Sequence, residues 1–266
     1  MKLYAYCVCD GAEAAAFEGE CGVSGAVAKL VECGGGLAAF VSELDEGRPV
    51  AVTPENVRAH NRVNARLLPH TTPLPFRFGT LITEARLKSY VTANEEALRE
   101  ALARVGGCVE MGVKIMWGAA PGAVVNETNE AAVADEAAGA DETAVDDEVN
   151  EGEAPPPSAV SNQAGRGTAF LLAKRREILG GDEARARAEE TAALLAARVG
   201  EVVRDSRVRV LPSRALLVRA AHLVERARLE EYRARVRALE AERAGGLSFL
   251  TSGAWPPYSF SEIRST

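Results

Sequence analysis

The sequence has few of the residue types from which catalytic and metal sites are most often built. It contains three histidines, His60, His70 and His222, and five cysteines in 266 residues. The cysteines are odd in number and include no Cys-x-x-Cys pair, so the sequence predicts neither a disulfide framework nor a structural zinc site. Free thiols fit a reducing compartment. We therefore expect no metal, no cofactor and a cytoplasmic location.

Long apolar runs and an excess of positive charge are missing as well. No run approaches the roughly 20 apolar residues that cross a membrane as a helix, and the N-terminus enters a strand-like run without a signal-peptide core. The formal net charge is −7, which argues against a nucleic-acid-binding surface. We therefore expect no membrane span and no nucleic-acid partner.

The negative charge is concentrated in residues 119–165, which we call the acidic segment. It has eleven acidic residues and no lysine or arginine, so removing its −11 from the net −7 leaves +4 for the rest of the chain. It is rich in alanine, contains Pro155–Pro157 and has few large apolar side chains. Such a composition cannot bury enough surface to fix its backbone, and it predicts a disordered insert.

Residues 1–106 predict an N-terminal α+β domain that begins with a strand over residues 2–9. One face of this strand would carry Leu3, Ala5, Cys7 and Cys9, and the other Tyr4, Tyr6 and Val8. The runs 26–33 and 37–44 flank three consecutive glycines, and this pattern predicts a hairpin.

Two helices and an extended segment complete the predicted N-terminal domain. Thr53 followed by Pro54 marks a helix start, and this helix would end before Pro69. Its predicted stripe consists of Val57, Asn61, Asn64 and Leu68. Two prolines make Leu74–Gly79 an edge strand or an extended loop. A second helix is predicted over about 83–105, where two glycines end it.

Residues 107–266 predict a modified ferredoxin-like domain with the element order β-α-β-β-α-β. The run 107–117 alternates without interruption, which predicts a central strand that buries Val109, Val113 and Ile115. The later elements are a helix over 167–199 that Gly180-Gly181 divides, strands at 207–210 and 214–223, a helix spanning Leu229–Leu239 and a strand at Leu247–Thr251. The acidic segment interrupts this order after the first strand.

The last residues, 252–266, predict an aromatic C-terminal extension. Two prolines hold the backbone extended, so that Trp255, Tyr258 and Phe260 project from a stiff ribbon. A rigid aromatic ribbon is expected to pack on its own chain or on a partner rather than stay free in water.

A second aromatic group lies in the extended segment of the N-terminal domain. It consists of Phe76, Arg77 and Phe78. Arg77 could clamp an anion or pair with a carboxylate of a neighbouring helix, and of these two roles we expect the ion pair. Together with the C-terminal aromatics, these residues make six candidate interaction residues: Phe76, Arg77, Phe78, Trp255, Tyr258 and Phe260.

Six strings spread along the chain resemble the GvpF/GvpL family of gas vesicle accessory proteins. They are Leu3–Tyr6, Val57–Val63, Leu74–Thr80 (LPFRFGT), Val109–Lys114, Gly167–Leu171 and Trp255–Phe260 (WPPYSF). The resemblance implies an α+β domain followed by a modified ferredoxin-like domain. It also implies a non-catalytic role at the gas vesicle, in contact with the hydrophobic shell protein and other accessory proteins. The acidic segment and Gly180-Gly181 depart from the family pattern.

Three hypotheses about function remain open from the sequence. The first is an assembly or minor structural protein of gas vesicles, which the resemblance implies. The second is a ligand-sensing regulatory module, which a defined pocket with polar walls would support. The third is a thiol- or histidine-dependent enzyme, which requires a cysteine within hydrogen-bond reach of His60 or His222.

Overall fold

The structure of the protein, a computed structural model, is a mixed α/β fold with two antiparallel sheets. It describes residues 2–11, 19–44, 50–117, 183–211, 216–243 and 246–262. The acidic segment lies outside the described residues, as do residues 167–182 of the predicted 167–199 helix, including Gly180-Gly181. The predictions made for those residues therefore stay predictions.

The first sheet is built around the N-terminal strand. Its strands are β1 (Lys2–Asp10), β2 (Ala28–Gly34), β3 (Leu37–Leu44), β4 (Leu74–Pro75) and β5 (Leu81–Ile82). The order is β2-β3-β1-β4, with β5 also pairing β1. The predicted hairpin is therefore confirmed as β2 and β3. The extended segment supplies an edge strand, as its two prolines predict.

The predicted faces of β1 are wrong beyond Tyr6. The pairing with β3 shifts between Ala5 and Cys7, so Tyr6 is an extra residue in the ladder. An extra residue exchanges the faces of everything that follows it. Val8 consequently joins the side of Leu3 and Ala5, whereas the two cysteines join the side of the tyrosines.

Three helices accompany the first sheet: α1 (Pro54–Leu67), α2 (Glu84–Ala93) and α3 (Glu95–Val105). Thr53 caps α1 as predicted, because its side chain accepts a hydrogen bond from the backbone N–H of Asn56. The predicted stripe of α1 is only partly right. The helix buries Ala59, His60, Val63, Asn64 and Leu67.

The predicted helix over 83–105 is divided at Asn94. The side-chain amide of Asn94 donates to the carbonyl oxygen of Tyr90 at 2.8 Å, and the backbone of Asn94 leaves the helical region. Asparagine side chains compete with the backbone for such hydrogen bonds. The residue therefore ends α2, and α3 begins directly after it.

The second sheet and its two helices follow the predicted order β-α-β-β-α-β. The elements are β6 (Cys108–Trp117), α4 (183–199), β7 (Val203–Val210), β8 (Leu216–Glu225), α5 (Leu229–Glu242) and β9 (Leu247–Trp255). The strand order is β7-β8-β6-β9, and β6 is central, with Val109, Val113 and Ile115 buried as predicted. β9 continues past the predicted end at Thr251, so Trp255 lies in the sheet.

Buried side chains form a continuous core between the two sheets. One cluster unites residues of β1, β3, α2 and α3 with Leu223 of β8 and Phe260 near the C-terminus. A second cluster fills the other face of the second sheet, beneath α4 and α5. The predicted division of the chain at residue 106 falls between α3 and β6, and it stays a prediction. No helix within the described ranges is both long and apolar enough to cross a membrane.

Candidate functional site

The two aromatic groups predicted from the sequence meet at His60 of α1. The ring of Phe78 lies 5.8 Å from the His60 ring, and the ring of Tyr258 lies 6.0 Å from it on another side. Tyr4 and Tyr6 of β1 complete the cluster, each with its ring centroid 5.7 Å from that of His60. Three strings that are far apart in the sequence thus converge on one buried side chain. We call this cluster the His60 joint.

A chain of hydrogen bonds runs through the His60 joint. The Tyr4 hydroxyl lies 2.9 Å from Nδ1 of His60, and Nδ2 of Asn64 lies 3.2 Å from Nε2. Nδ2 of Asn64 also donates to the Tyr258 hydroxyl at 3.0 Å, and that hydroxyl donates to Oδ1 of Asn61 at 2.8 Å. The network therefore connects β1, α1 and the C-terminal segment.

Burial determines the charge of the His60 joint. His60 is 2% exposed, and this burial lowers its pKa to about 4, although a hydrogen bond to the backbone of Phe76 opposes the shift. Burial likewise raises the pKa of Tyr4. At neutral pH the imidazole is therefore uncharged.

Beyond the His60 joint, Glu110 holds the C-terminal segment to β6. Its carboxylate accepts from the backbone N–H of Ser259 at 2.8 Å and from the Ser259 hydroxyl at 2.7 Å. Arg104 of α3 donates to the carbonyl oxygen of Phe260 at 2.9 Å. Glu110 is only 5% exposed, so these charge-assisted hydrogen bonds offset its loss of hydration.

Phe260 anchors the end of this segment in the core. It is 1% exposed and belongs to the cluster that includes Leu3, Val105 and Leu223. The guanidinium of Arg207 on β7 lies 5.6 Å from the centre of its ring. The aromatic terminus is therefore docked within the chain, between parts of both sheets.

The six candidate interaction residues have different surroundings. Phe76 packs against Tyr90 at 6.2 Å, and Phe78, Tyr258 and Phe260 belong to the contacts described above. Trp255 is half-buried at the end of β9. Arg77 is exposed, and within the described ranges no carboxylate pairs with it, so the predicted ion pair is wrong. This side chain lies in the short loop between β4 and β5.

Several residues that build the site were not predicted from the sequence. In the sequence, Tyr4 and His60 look like ordinary core residues. Ser259 gives no signal of its own, because it lies between two aromatic residues. Glu110 gave one usable signal, because it is an acidic residue inside the most regular strand of the chain. A buried carboxylate in such a strand requires hydrogen-bond donors nearby.

Among the described hydrogen bonds, neither His60 nor His222 forms a nucleophilic pair with a cysteine. His222 places Nδ1 at 2.7 Å from the Tyr232 hydroxyl, and burial lowers its pKa to about 4. Of the described hydrogen bonds of His60 and His222, none involves a thiol. Burial also raises the pKa of Cys7. No cluster that could hold a metal ion occurs among the described residues.

The second sheet has one uncharged edge, formed by β9. The opposite edge, β7, carries three arginines and an aspartate, and β2 of the first sheet carries Lys29 and Glu32. Charged side chains on an edge strand discourage pairing with another strand. β9 has no charged residue, and Leu250 and Thr251 are exposed on it. Of the three edges β2, β7 and β9, it is therefore the one best suited to accept a partner.

A groove of about 370 Å³ lies beside β9. Apolar side chains of β6, β9 and both helices line it: Trp117, Leu194, Leu239, Leu247 and Phe249. Charged side chains also contribute, and Arg187 places its guanidinium 5.7 Å from the Trp117 ring. Apolar walls next to an open strand edge suit an extended apolar peptide better than a small polar effector.

Comparison with known proteins relates this fold to gas vesicle proteins. The model of the family described as gas vesicle synthesis protein GvpL/GvpF matches residues 2–262. Gas vesicle protein F2 of Halobacterium salinarum is 27% identical over 266 residues, which are 98% of this chain and 93% of that protein. Gas vesicle protein F of Haloferax mediterranei is 35% identical over 103 residues, which are 37% and 47% of the two chains.

Two crystal structures of gas vesicle protein GvpF have a similar fold. The structure from Anabaena sp. PCC7120 gives a TM-score of 0.68 over 99% of both chains, at 16% identity. The structure from Microcystis aeruginosa gives 0.67 over 98% of this chain and 99% of that one, at 15% identity.

Proposed function

The chain belongs to the GvpL/GvpF family of gas vesicle synthesis proteins, and we propose that it is a non-catalytic assembly or minor structural protein of gas vesicles. In this role it binds the hydrophobic shell protein in the cytoplasm, assists nucleation or growth of the vesicle, and meets other accessory proteins there. A shell protein that builds a gas-tight wall exposes apolar surface and strand edges before it assembles. An accessory protein that covers them limits aggregation.

The observation that carries this proposal is the uncharged edge of β9 beside its apolar groove. An incoming strand would add to the sheet through main-chain hydrogen bonds, and alternate side chains of that strand would enter the groove. Trp255, the last residue of β9, would extend the same surface. The other predicted aromatic residues contribute indirectly, because Tyr258 and Phe260 fix the C-terminal end of β9 against the core.

The test is capture of the shell protein by variants with a charged edge. Leu250→Lys places one charge on β9, where lysine opposes strand addition. The matched control is Val208→Lys on β7, because Val208 is 40% exposed and Leu250 39%. We expect the wild type and the control to retain co-expressed shell protein in a pull-down, and the β9 variant to lose it several-fold with an unchanged melting temperature. Equal capture by both variants would show that β9 is not the docking edge.

A further inference from the structure

The two tryptophans of the chain stand at the two ends of the uncharged edge strand β9. The sequence contains only Trp117 and Trp255. Trp117 ends β6 and is the cross-strand partner of Leu247, the first residue of β9, whereas Trp255 is the last residue of β9. At about 3.3 Å per residue, the length of β9 places the two tryptophans roughly 26 Å apart along this edge.

The two indole rings lie on opposite faces of the second sheet. Directly paired residues of neighbouring strands project from the same face, and successive residues of one strand project from opposite faces. Trp117 is paired with Leu247, and both line the groove on the helix side of the sheet. Trp255 is paired with Glu110. Glu110 and Trp117 are seven positions apart in β6, so Trp255 projects from the face opposite to the groove.

The fold uses each tryptophan only in part. Both side chains are half-buried. Trp117 packs against the core beneath α4 and α5, whereas Trp255 packs against none of the clusters found among the described residues. Within the same residues, neither indole N–H has a hydrogen-bond partner. A half-exposed indole with an unused donor is typical of the tryptophans that anchor a partner in a protein interface.

A strand added to β9 would meet apolar side chains on both of its faces. On the helix side it would contact Phe249 and the groove that Trp117 lines. On the other side it would contact Leu250, which is exposed, and Trp255. A strand with one covered face alternates apolar and polar residues, whereas a strand covered on both faces is a nearly continuous apolar run. The edge therefore fits a continuous apolar strand better than an amphipathic one.

We propose that Trp117 and Trp255 are the two anchors of the docking edge, and that they select a continuous apolar strand of about nine residues, the length of β9. Their role rests on the function proposed above, in which this strand belongs to the hydrophobic shell protein before assembly. The spacing of the rings sets the length of the strand, because a shorter one reaches a single ring. Their opposite faces set its pattern, because an alternating strand would place polar side chains against one of them.

Titration of the full chain with a synthetic peptide tests both anchors without the shell protein. The probe peptide has nine consecutive valine, leucine and isoleucine residues, as many as β9 has, between lysine pairs that keep it soluble. Trp117→Phe leaves Trp255 as the single tryptophan, and Trp255→Phe leaves Trp117. At saturating peptide we expect the emission of both variants to shift to shorter wavelength and quenching by acrylamide to fall several-fold, because the added strand removes water from each ring.

Two matched peptides test the length and the pattern of the strand. One keeps the lysine pairs but has about half as many apolar residues. The other keeps the full length but has threonine at every second position. We expect the wild type to bind each of them several-fold more weakly than the probe peptide. The short peptide should shift the emission of only one of the two single-tryptophan variants.

Capture of co-expressed shell protein tests the same anchors on the natural partner. Trp117→Ala and Trp255→Ala should each lower capture several-fold in a pull-down on protein that a melting curve shows to be folded. Tyr90→Ala is the matched control, because Tyr90 is also a half-buried aromatic residue but lies on α2, beside the first sheet. This control should capture the shell protein as well as the wild type does.

Three results would overturn the proposal. The first is unchanged emission of either single-tryptophan variant at saturating probe peptide. The second is equal binding of the probe peptide and the threonine-containing peptide. The third is wild-type capture by both tryptophan-to-alanine variants while Leu250→Lys loses capture, which would keep β9 as the docking edge and remove only its anchors. Retention of the shell protein by Leu250→Lys would instead refute the proposed function.

Discussion

Two buried histidines make the stability of the protein depend on pH. Burial lowers the pKa of both His60 and His222 to about 4, whereas an unfolded chain has a histidine pKa of about 6.5. Between these values the unfolded state binds more protons, so stability rises with pH. This contribution is complete above about pH 6.5 and is lost as the pH falls towards 4. We expect each histidine to lower the free energy of unfolding by about 2 kcal/mol when the pH falls from 7 to 5.

Urea denaturation at pH 7 and pH 5 measures this loss. For the wild type we expect a decrease of about 4 kcal/mol in the free energy of unfolding, a large part of the 5–15 kcal/mol that is typical of natural proteins. His222→Asn keeps a polar group near Tyr232 but does not titrate, so it should halve the pH-dependent loss. A wild type that is equally stable at both pH values would refute the assignment of buried, neutral histidines.

Three further predictions concern packing, and equilibrium denaturation measures each of them. Phe260→Ala should cost about 3–5 kcal/mol, because it empties a fully buried site that both sheets share; a loss below about 1 kcal/mol would contradict the core position of Phe260. Gly22→Ala should lower the free energy of unfolding by about 1–3 kcal/mol, because the added Cβ would clash with the Tyr6 hydroxyl. Gly200→Ala is the neutral control, because a Cβ added there meets no atom within 4 Å. Val113→Asp should cost several kcal/mol, because it buries an unpaired charge in the central strand, and a change within about 0.5 kcal/mol would show an exposed site.

The elements that the sequence predicts well are those with a strong local period. The run 107–117 alternates for its whole length, and β6 is indeed a central strand with a buried face. Thr53-Pro54 is a helix-start motif, with a capping side chain followed by proline at the first helical position, and the structure shows the expected cap. Both predictions succeed because residues that are close in the sequence determine the local conformation at these positions.

The errors arise where a distant or competing partner decides the conformation. The bulge at Tyr6 is a property of the pairing between β1 and β3, and alternation within β1 alone cannot reveal it. The division at Asn94 depends on whether its amide binds the backbone of Tyr90 or water. The helical period continues across this point, so the sequence pattern predicts a single helix.

The sequence predicts that the aromatic C-terminal segment packs against another surface, but it does not predict which residues form that surface. Two prolines and three aromatic residues indicate that the C-terminal segment packs against something. The partners of Tyr258 and Ser259 lie almost 200 and about 150 residues earlier in the chain. No periodicity connects positions so far apart. The same limit explains the error at Arg77, whose exposure depends on the fold around the loop between β4 and β5.

Two groups of residues are expected to serve different purposes in this protein: the family strings stabilise the fold, and the edge of β9 binds a partner. The strings around Val57, Phe76 and Tyr258 meet at the His60 joint, where their side chains are engaged in contacts within the chain. Substitutions there should act first on stability, and on shell-protein capture only through unfolding. β9 shares only Trp255 with those strings, and its exposed residues contribute little to the core. Substitutions on that edge should therefore reduce capture while stability is kept. Because Leu250 and Thr251 lie in the middle of β9 whereas the His60 joint lies outside this strand, measuring stability and capture on the same variants distinguishes a fold stabilised by the family strings from a surface that recognises a partner.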